Sequence, residues 1–304
     1  MTLRNILLFL SRQQWLRRWV ENSPISQKWT RRFVAGKTIE EGLAVCARLN
    51  ADGILATLDH LGEHVASIEE GARTRDAYVE ALRQITELRL QATISIKLTH
   101  FGLDYSEEGC RDYVDTVVAE AARRSDSVEI DMESLNYVDA TLRIVTEMHE
   151  RHHAVRAVIQ AYLRRSEDDI RTLCRHGIPV RLCKGAYKEP APVAFPTKKQ
   201  VDANYLKLAR LLLEQGTYPA MATHDERIIR AIMRMSAESG RAADQLEFQM
   251  LYGIRQSLQR ELADAGFRVR LYVPYGEAWY PYFMRRLAER PANLLFLIKN
   301  LARN

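Results

Sequence analysis

Two adjacent arginines near the C-terminus, Arg285 and Arg286, follow a stretch dense in aromatic and polar groups: Tyr272-Val273-Pro274-Tyr275-Gly276, then Trp279, Tyr280 and Tyr282. If the segment from Glu277 onward is a helix, Tyr282 and Arg285 share a face and Arg286 lies about 100° round it. Paired guanidiniums match planar oxyanions, so this is the material of a carboxylate clamp. The alternative is that both face solvent at a helix middle, and spacing alone leaves the two readings open. A second group is Lys184-Gly185-Ala186, where a cation precedes small residues whose backbone amides can approach phosphate oxygens closely. A third is His149-Glu150-Arg151-His152-His153, which matches the H-E-x-x-H pattern of zinc peptidases. That helix runs straight into an apolar run at Val155, which would put the histidines at the end of the domain away from any site, so a solvated helix end is the better account and no metal is expected.

The elements that must position these groups are legible as repeats. From about residue 50, eight short apolar runs each lead through a polar turn into a longer amphipathic stretch, beginning near Gly53, Ala92, Val128, Val155, Pro179, Ala220, Leu246 and Arg268. Alternation of this kind is expected of βα units, and eight of them make a closed parallel (β/α)8 barrel of the TIM type. The runs end in Asp59, Lys97, Asp131, Gln160, Lys184, His224, Gln249 and Tyr272. Barrel enzymes assemble their sites at the carboxyl ends of the strands, so these side chains are expected to converge on one mouth. Residues 1–50 read instead as a helical arm, with Leu3, Ile6, Leu7, Leu10, Trp15, Leu16, Trp19 and Val20 recurring at helical intervals among arginines. Such an arm either caps the barrel or lays a basic face on an anionic membrane surface. The expected organisation is thus an arm over 1–50 and a catalytic barrel over 51–304.

Composition narrows the functional classes. With 304 residues and 47% apolar content the chain can bury one large core. Its net charge of +5 is modest, and its basic residues are dispersed rather than interleaved with aromatics on one face, so nucleic acid is not an expected partner. Four cysteines without paired spacing suggest neither disulfides nor a zinc knuckle and fit a reducing, cytoplasmic setting. No apolar run is long enough to span a membrane. No two glycines stand two residues apart, which removes the dinucleotide fingerprint G-x-G-x-x-G, and no P-loop is present. A Rossmann or P-loop enzyme is therefore disfavoured, and a cofactor held by the barrel mouth remains allowed.

The stretches Arg181-Leu182-Cys183-Lys184-Gly185-Ala186-Tyr187 and Tyr282-Phe283-Met284-Arg285-Arg286-Leu287-Ala288-Glu289 resemble the proline dehydrogenase family. The likeness runs over nearly all of residues 50 to 300 and takes in Lys97, Asp131, Gln160, Ala222-Thr223-His224-Asp225, Glu247-Phe248-Gln249-Met250-Leu251-Tyr252-Gly253 and Leu271-Tyr272-Val273-Pro274 in order. The resemblance implies a distorted barrel that binds FAD, with the last helix over the mouth. It implies that L-proline is oxidised at a ring carbon–nitrogen bond to 1-pyrroline-5-carboxylate by hydride transfer, the first step of proline catabolism to glutamate. On the same ground Lys97, Arg285 and Arg286 hold the proline carboxylate, Tyr272 and Tyr282 pack its ring, and Arg181 lies beside the redox-active flavin nitrogen. Asp131 orients the lysine, Gln160, Lys184, Gly185, Ala186, Thr223 and His224 contact FAD, and Met132 does so through its backbone. The family passes its electrons to an acceptor that is usually a membrane quinone, which leaves room for peripheral contact with the membrane. The chain is similar to the short monofunctional bacterial type, whose product goes to a separate pyrroline-5-carboxylate dehydrogenase.

Overall fold

Strands in an all-parallel sheet are usually apolar on both faces. Here several runs instead alternate an apolar residue with a polar one, as in Ala56-Thr57-Leu58-Asp59 and Arg268-Val269-Arg270-Leu271-Tyr272, and side chains of alternate residues point to opposite faces of a strand. The computed structural model describes residues 30–62, 65–187 and 189–288, of which 285–288 as backbone only. Its strands are β1 Leu55–His60, β2 Ala92–Ile96, β3 Val128–Ile130, β4 Val155–Gln160, β5 Val180–Cys183, β6 Ala220–Ala222, β7 Glu247–Leu251 and β8 Arg268–Tyr275. Each pairs in parallel with the next and β8 pairs back onto β1, closing the barrel. The helices are α1 Ile39–Ala51, α2 Ile68–Glu87, α3 Glu107–Arg123, α4 Val138–His152, α5 Ser166–Arg175, α6 Lys198–Gln215, α7 Glu226–Glu238, α8 Gln256–Asp264 and α9 Trp279–Ala288.

The apolar set, including Leu58, Ile94, Ile96, Ile130, Leu182, Phe248 and Leu271, is fully or almost fully buried and packs outward against the helices. The polar set fills the interior, where hydrogen bonds join strands that are not neighbours in the sheet, such as Arg156 of β4 with Glu247 of β7. The expected floor-to-mouth polarity also holds. The helix of the H-E-x-x-H segment ends at His152 and is capped by His153, which takes a left-handed φ of 53° two residues before β4 begins. The rings of His149 and His153 meet edge to face at 4.9 Å, and His152 pairs with Asp115 at 2.9 Å. Among the described residues no group of His, Cys, Asp or Glu could hold a metal ion.

The mouth is closed on one side by two segments. Residues 30–36 run along the end of β8, with Ala35 N donating to Pro274 O at 2.8 Å and Gly276 N to Gly36 O at 3.0 Å. Gly253, at φ 78°, must be glycine, because a Cβ there would stand 1.7 Å from the Arg32 carbonyl oxygen. The chain then turns back at Gly276 and enters α9, with Ala278 N donating to Leu61 O at 3.2 Å. Phe283 of α9 is fully buried and faces Phe33 at 6.3 Å between ring centroids, so α9 lies over the barrel opening and not beside the wall. The amphipathic run of residues 1–29 lies outside the described residues.

Candidate active site

A cavity of about 1900 Å³ opens at the carboxyl ends of the strands. At its base the side chains of β1, β2, β3, β5 and β8 meet. Lys97, the residue after β2, places its ammonium 2.7 Å from Asp59 Oδ1, 3.2 Å from Asp131 Oδ2 and 3.2 Å from the Tyr272 hydroxyl. The Tyr272 hydroxyl donates to Asp131 Oδ2 at 2.8 Å, and Ser95 Oγ donates to Asp131 Oδ1 at 2.9 Å. Arg181 Nη2 also bonds Asp131 Oδ1, and the guanidinium carbon lies 5.5 Å from the centre of the Tyr272 ring. Four residues expected to share the site, Lys97, Asp131, Arg181 and Tyr272, therefore form one bonded cluster.

The electrostatics follow from that bonding. Burial favours a neutral Asp131 carboxyl, but the charges of Arg181 and Lys97 outweigh it and bring its pKa down to about 2. Burial likewise opposes the Lys97 charge, while Asp59, Tyr272 and Asp131 outweigh it and hold the amine well above the usual lysine range. The Tyr272 phenol is pushed well above its ordinary value by burial, then by Asp131 and Asp59. Near neutral pH the cluster is a fixed arrangement of ions around a neutral phenol.

Beneath it the charges continue in alternation toward the floor. Arg181 Nη1 bonds Glu129 Oε2 at 2.6 Å, Glu129 Oε1 takes Arg156 at 2.9 Å, Arg156 bonds Glu247 Oε1 at 2.8 Å, and Glu247 takes Arg270 Nε at 3.0 Å. Gln249 donates to Glu129 and Glu247 at 2.6 and 2.7 Å. Of these groups, Asp59 and Gln249 were among the expected strand-end residues, whereas Glu129, Arg156, Glu247 and Arg270, with Ser95 as a partner of the site, were not. The signal that finds them is the period of two inside the runs.

The remaining expected residues lie along the β4 to β7 side of the same cavity. Gln160 donates to the Met132 carbonyl at 2.6 Å, whereas its buried Oε1 has no hydrogen-bond partner within the protein. Lys184 is held by Asp202 at 2.5 Å and Asp225 at 3.1 Å. Gly185 follows at φ 110°, and Ala186 continues the cavity lining. Thr223 Oγ accepts from Asp225 N at 3.1 Å, and His224 Nε2 accepts from Leu251 N at 2.8 Å, which fixes the first side chain to the following turn and the second to the end of β7. Tyr282 of α9 lines the cavity from above. Arg285 and Arg286 lie in the last described turns of α9, and their side chains, with the clamp expected of them, lie outside the described residues.

Pockets for one small ligand run to about 300–1,000 Å³, so a cavity of about 1900 Å³ has room for a large cofactor beside a small substrate. The cations Lys198, Arg227 and Arg234 on its wall suit phosphates, and the unanswered Gln160 Oε1 suits a donor such as a ring N–H. Wall and base together fit a dinucleotide cofactor.

The fold and the site thus define a parallel β/α-barrel oxidoreductase with a carboxylate–lysine–arginine cluster at the base of a cofactor-sized cavity. The profile of the proline dehydrogenase family matches residues 43–299, and the chain belongs to that family, the oxidoreductases of proline catabolism. It is 43% identical to proline dehydrogenase 1 of Bacillus subtilis (strain 168) over 98% of this chain and 99% of that one. It is 40% identical to the proline dehydrogenase of Deinococcus radiodurans over 89% of each. Among solved structures, proline utilization A (PutA) from Bdellovibrio bacteriovorus, inactivated by N-propargylglycine, superposes with a TM-score of 0.81 at 27% identity. That match covers 87% of this chain and 33% of the longer PutA chain. Among the described residues no helix is long and apolar enough to cross a membrane.

Proposed function

We propose that the chain oxidises L-proline to 1-pyrroline-5-carboxylate with FAD as the bound hydride acceptor and a membrane quinone as the final one. The observation that carries this reading is the joining of Lys97, Asp131, Arg181 and Tyr272 at the base of a cavity large enough for cofactor and substrate together. FAD, when bound, supplies the acceptor that takes a hydride from the ring carbon beside the proline nitrogen. Gln160, Lys184, Gly185, Ala186, Thr223, His224 and the Met132 backbone would hold it, with Lys184 serving the pyrophosphate.

The protein's own groups then bind and orient the substrate. The proline carboxylate pairs with Arg285 and Arg286, aided by Lys97, while the rings of Tyr272 and Tyr282 pack against the pyrrolidine. Asp131 holds the lysine and Arg181 in register, which is the positioning that hydride transfer requires. Arg181 presents a fixed cation where negative charge develops. The product passes to a separate pyrroline-5-carboxylate dehydrogenase. The acceptor would be met at the inner face of the membrane, with residues 1–50 as an N-terminal arm and residues 51–304 as the catalytic unit.

An anaerobic absorbance titration with proline tests the reading: the protein is expected to be yellow as purified and to bleach stoichiometrically. Folded protein that binds no FAD would refute it. Arg285→Met and Arg286→Met are each expected to raise the proline KM by the equivalent of about 2 to 5 kcal/mol, the loss on truncating one member of a charged clamp. Unchanged KM in both removes the clamp.

A further inference from the structure

Glu129 stands two residues before Asp131 on β3, inside the barrel, 1% exposed and below the cavity lining. Its carboxylate is divided between two cations, with Oε2 on Arg181 and Oε1 on Arg156 and Gln249. Arg181 is divided in the complementary way: Nη1 is anchored from below by Glu129 and Gln249, and Nη2 from above by Asp131 and Ser95. We infer that Glu129 is a positioning residue, and that the Glu129–Arg156 pair beneath the site sets how much of the Arg181 charge acts at the cavity wall where the redox cofactor is held. The inference rests on the flavin reading above.

The sign of the effect follows from the alternation. Reduction adds negative charge to the cofactor, so an uncompensated Arg181 favours the reduced form. Glu129 offsets Arg181, and Arg156 in turn offsets Glu129. At these depths solvent and salt screen little, so a unit charge one link away is still felt. Neutralising Glu129 therefore favours reduction, and neutralising Arg156, which removes the cation that offsets Glu129 from below, opposes it. Neither residue lines the cavity. Loosening of the structure would give no reason for opposite signs.

The experiment is the midpoint potential of the bound flavin in Glu129→Gln and Arg156→Gln holoprotein, by anaerobic equilibration with redox dyes. Glu129→Gln is expected to move the reduced-to-oxidised ratio about tenfold upward and Arg156→Gln about tenfold downward, about 30 mV each for a two-electron couple. The charge-neutral double variant Glu129→Gln/Arg156→Gln is expected to return to the wild-type value, and replacing a buried pair together is better tolerated than breaking it, so it decides the matter if a single variant fails to fold. Shifts of the same sign, no shift in either variant, or a double variant that does not return overturns the inference. Wild-type protein without flavin refutes the earlier reading and this one with it, whereas flavin-bearing variants with unmoved potentials refute this one alone.

Discussion

Lys97 and Asp59 meet at the mouth across neighbouring strands, Nζ to Oδ1 at 2.7 Å, with the Asp59 side chain only 2% exposed and the lysine a quarter exposed. This is the shortest contact the ammonium makes among those bonded to it. Asp59 therefore determines, with Asp131, where the charge of Lys97 is held. For Asp59→Asn we expect kcat/KM for proline to fall by a factor equivalent to on the order of 2 kcal/mol, because one partner of a desolvated ion pair is lost. Steady-state kinetics check this, and unchanged kcat/KM would show that Asp59 merely fills space.

The Asp131 carboxyl gives a pH dependence with a definite sign. Its pKa is lowered in the folded protein, to about 2, from an unfolded value near 3.9. A lowered carboxylate pKa contributes stability fully above the unfolded value and loses it as pH falls through the folded one. The contribution is on the order of 2 kcal/mol. We expect Asp131→Asn to melt below the wild type at pH 6 and the gap between them to narrow from about pH 4 down to pH 2. Melting curves at several pH values check this; a gap that is constant or widens with acid excludes Asp131 as the source.

At Gly185 the backbone φ of 110° disfavours any side chain, and an added Cβ would stand 2.1 Å from Tyr162 Cδ1. Gly185→Ala therefore either displaces the Tyr162 ring or shifts the Lys184–Ala186 loop on the cavity wall. Because Tyr162 is itself buried, we expect the loop to move, with the flavin-to-protein ratio after purification falling severalfold. Full flavin content and an unchanged melting temperature would show that this loop is not part of the cofactor wall.

The barrel was legible because short, partly apolar runs recur between turns, and the expected runs coincide with the strands to within a residue or two, β8 extending to Tyr275. The site was legible where a polar residue ended a run, as at Lys97, Asp131 and Tyr272. It was not legible where a charge sits inside a strand. Glu129, Arg156, Glu247 and Arg270 break the apolar pattern of a parallel sheet, and only closure of the barrel reveals that they answer one another across its interior. The partners of Lys184 were out of reach for another reason: Asp202 and Asp225 stand 18 and 41 residues away and come from α6 and the turn before α7. Chain closure makes such pairs, and no local spacing encodes them.

The Tyr272 hydroxyl is the remaining link, accepting from Lys97 at 3.2 Å and donating to Asp131 at 2.8 Å, while the Tyr272 ring lies under the Arg181 guanidinium. Tyr272→Phe separates the two roles, because it removes the hydroxyl and keeps the ring. The variant leaves Lys97 with two carboxylates and Asp131 with three partners, so the cluster should hold together. A single hydrogen bond to a charged group contributes about 1.5–3 kcal/mol, and we expect kcat/KM for proline to fall by a comparable factor with flavin content retained. If the loss appears in KM alone, the hydroxyl acts in holding the bound substrate; if it appears in kcat, the hydroxyl aligns Lys97 and Asp131 for the reacting complex. Kinetic constants equal to the wild type would leave only the ring with a role.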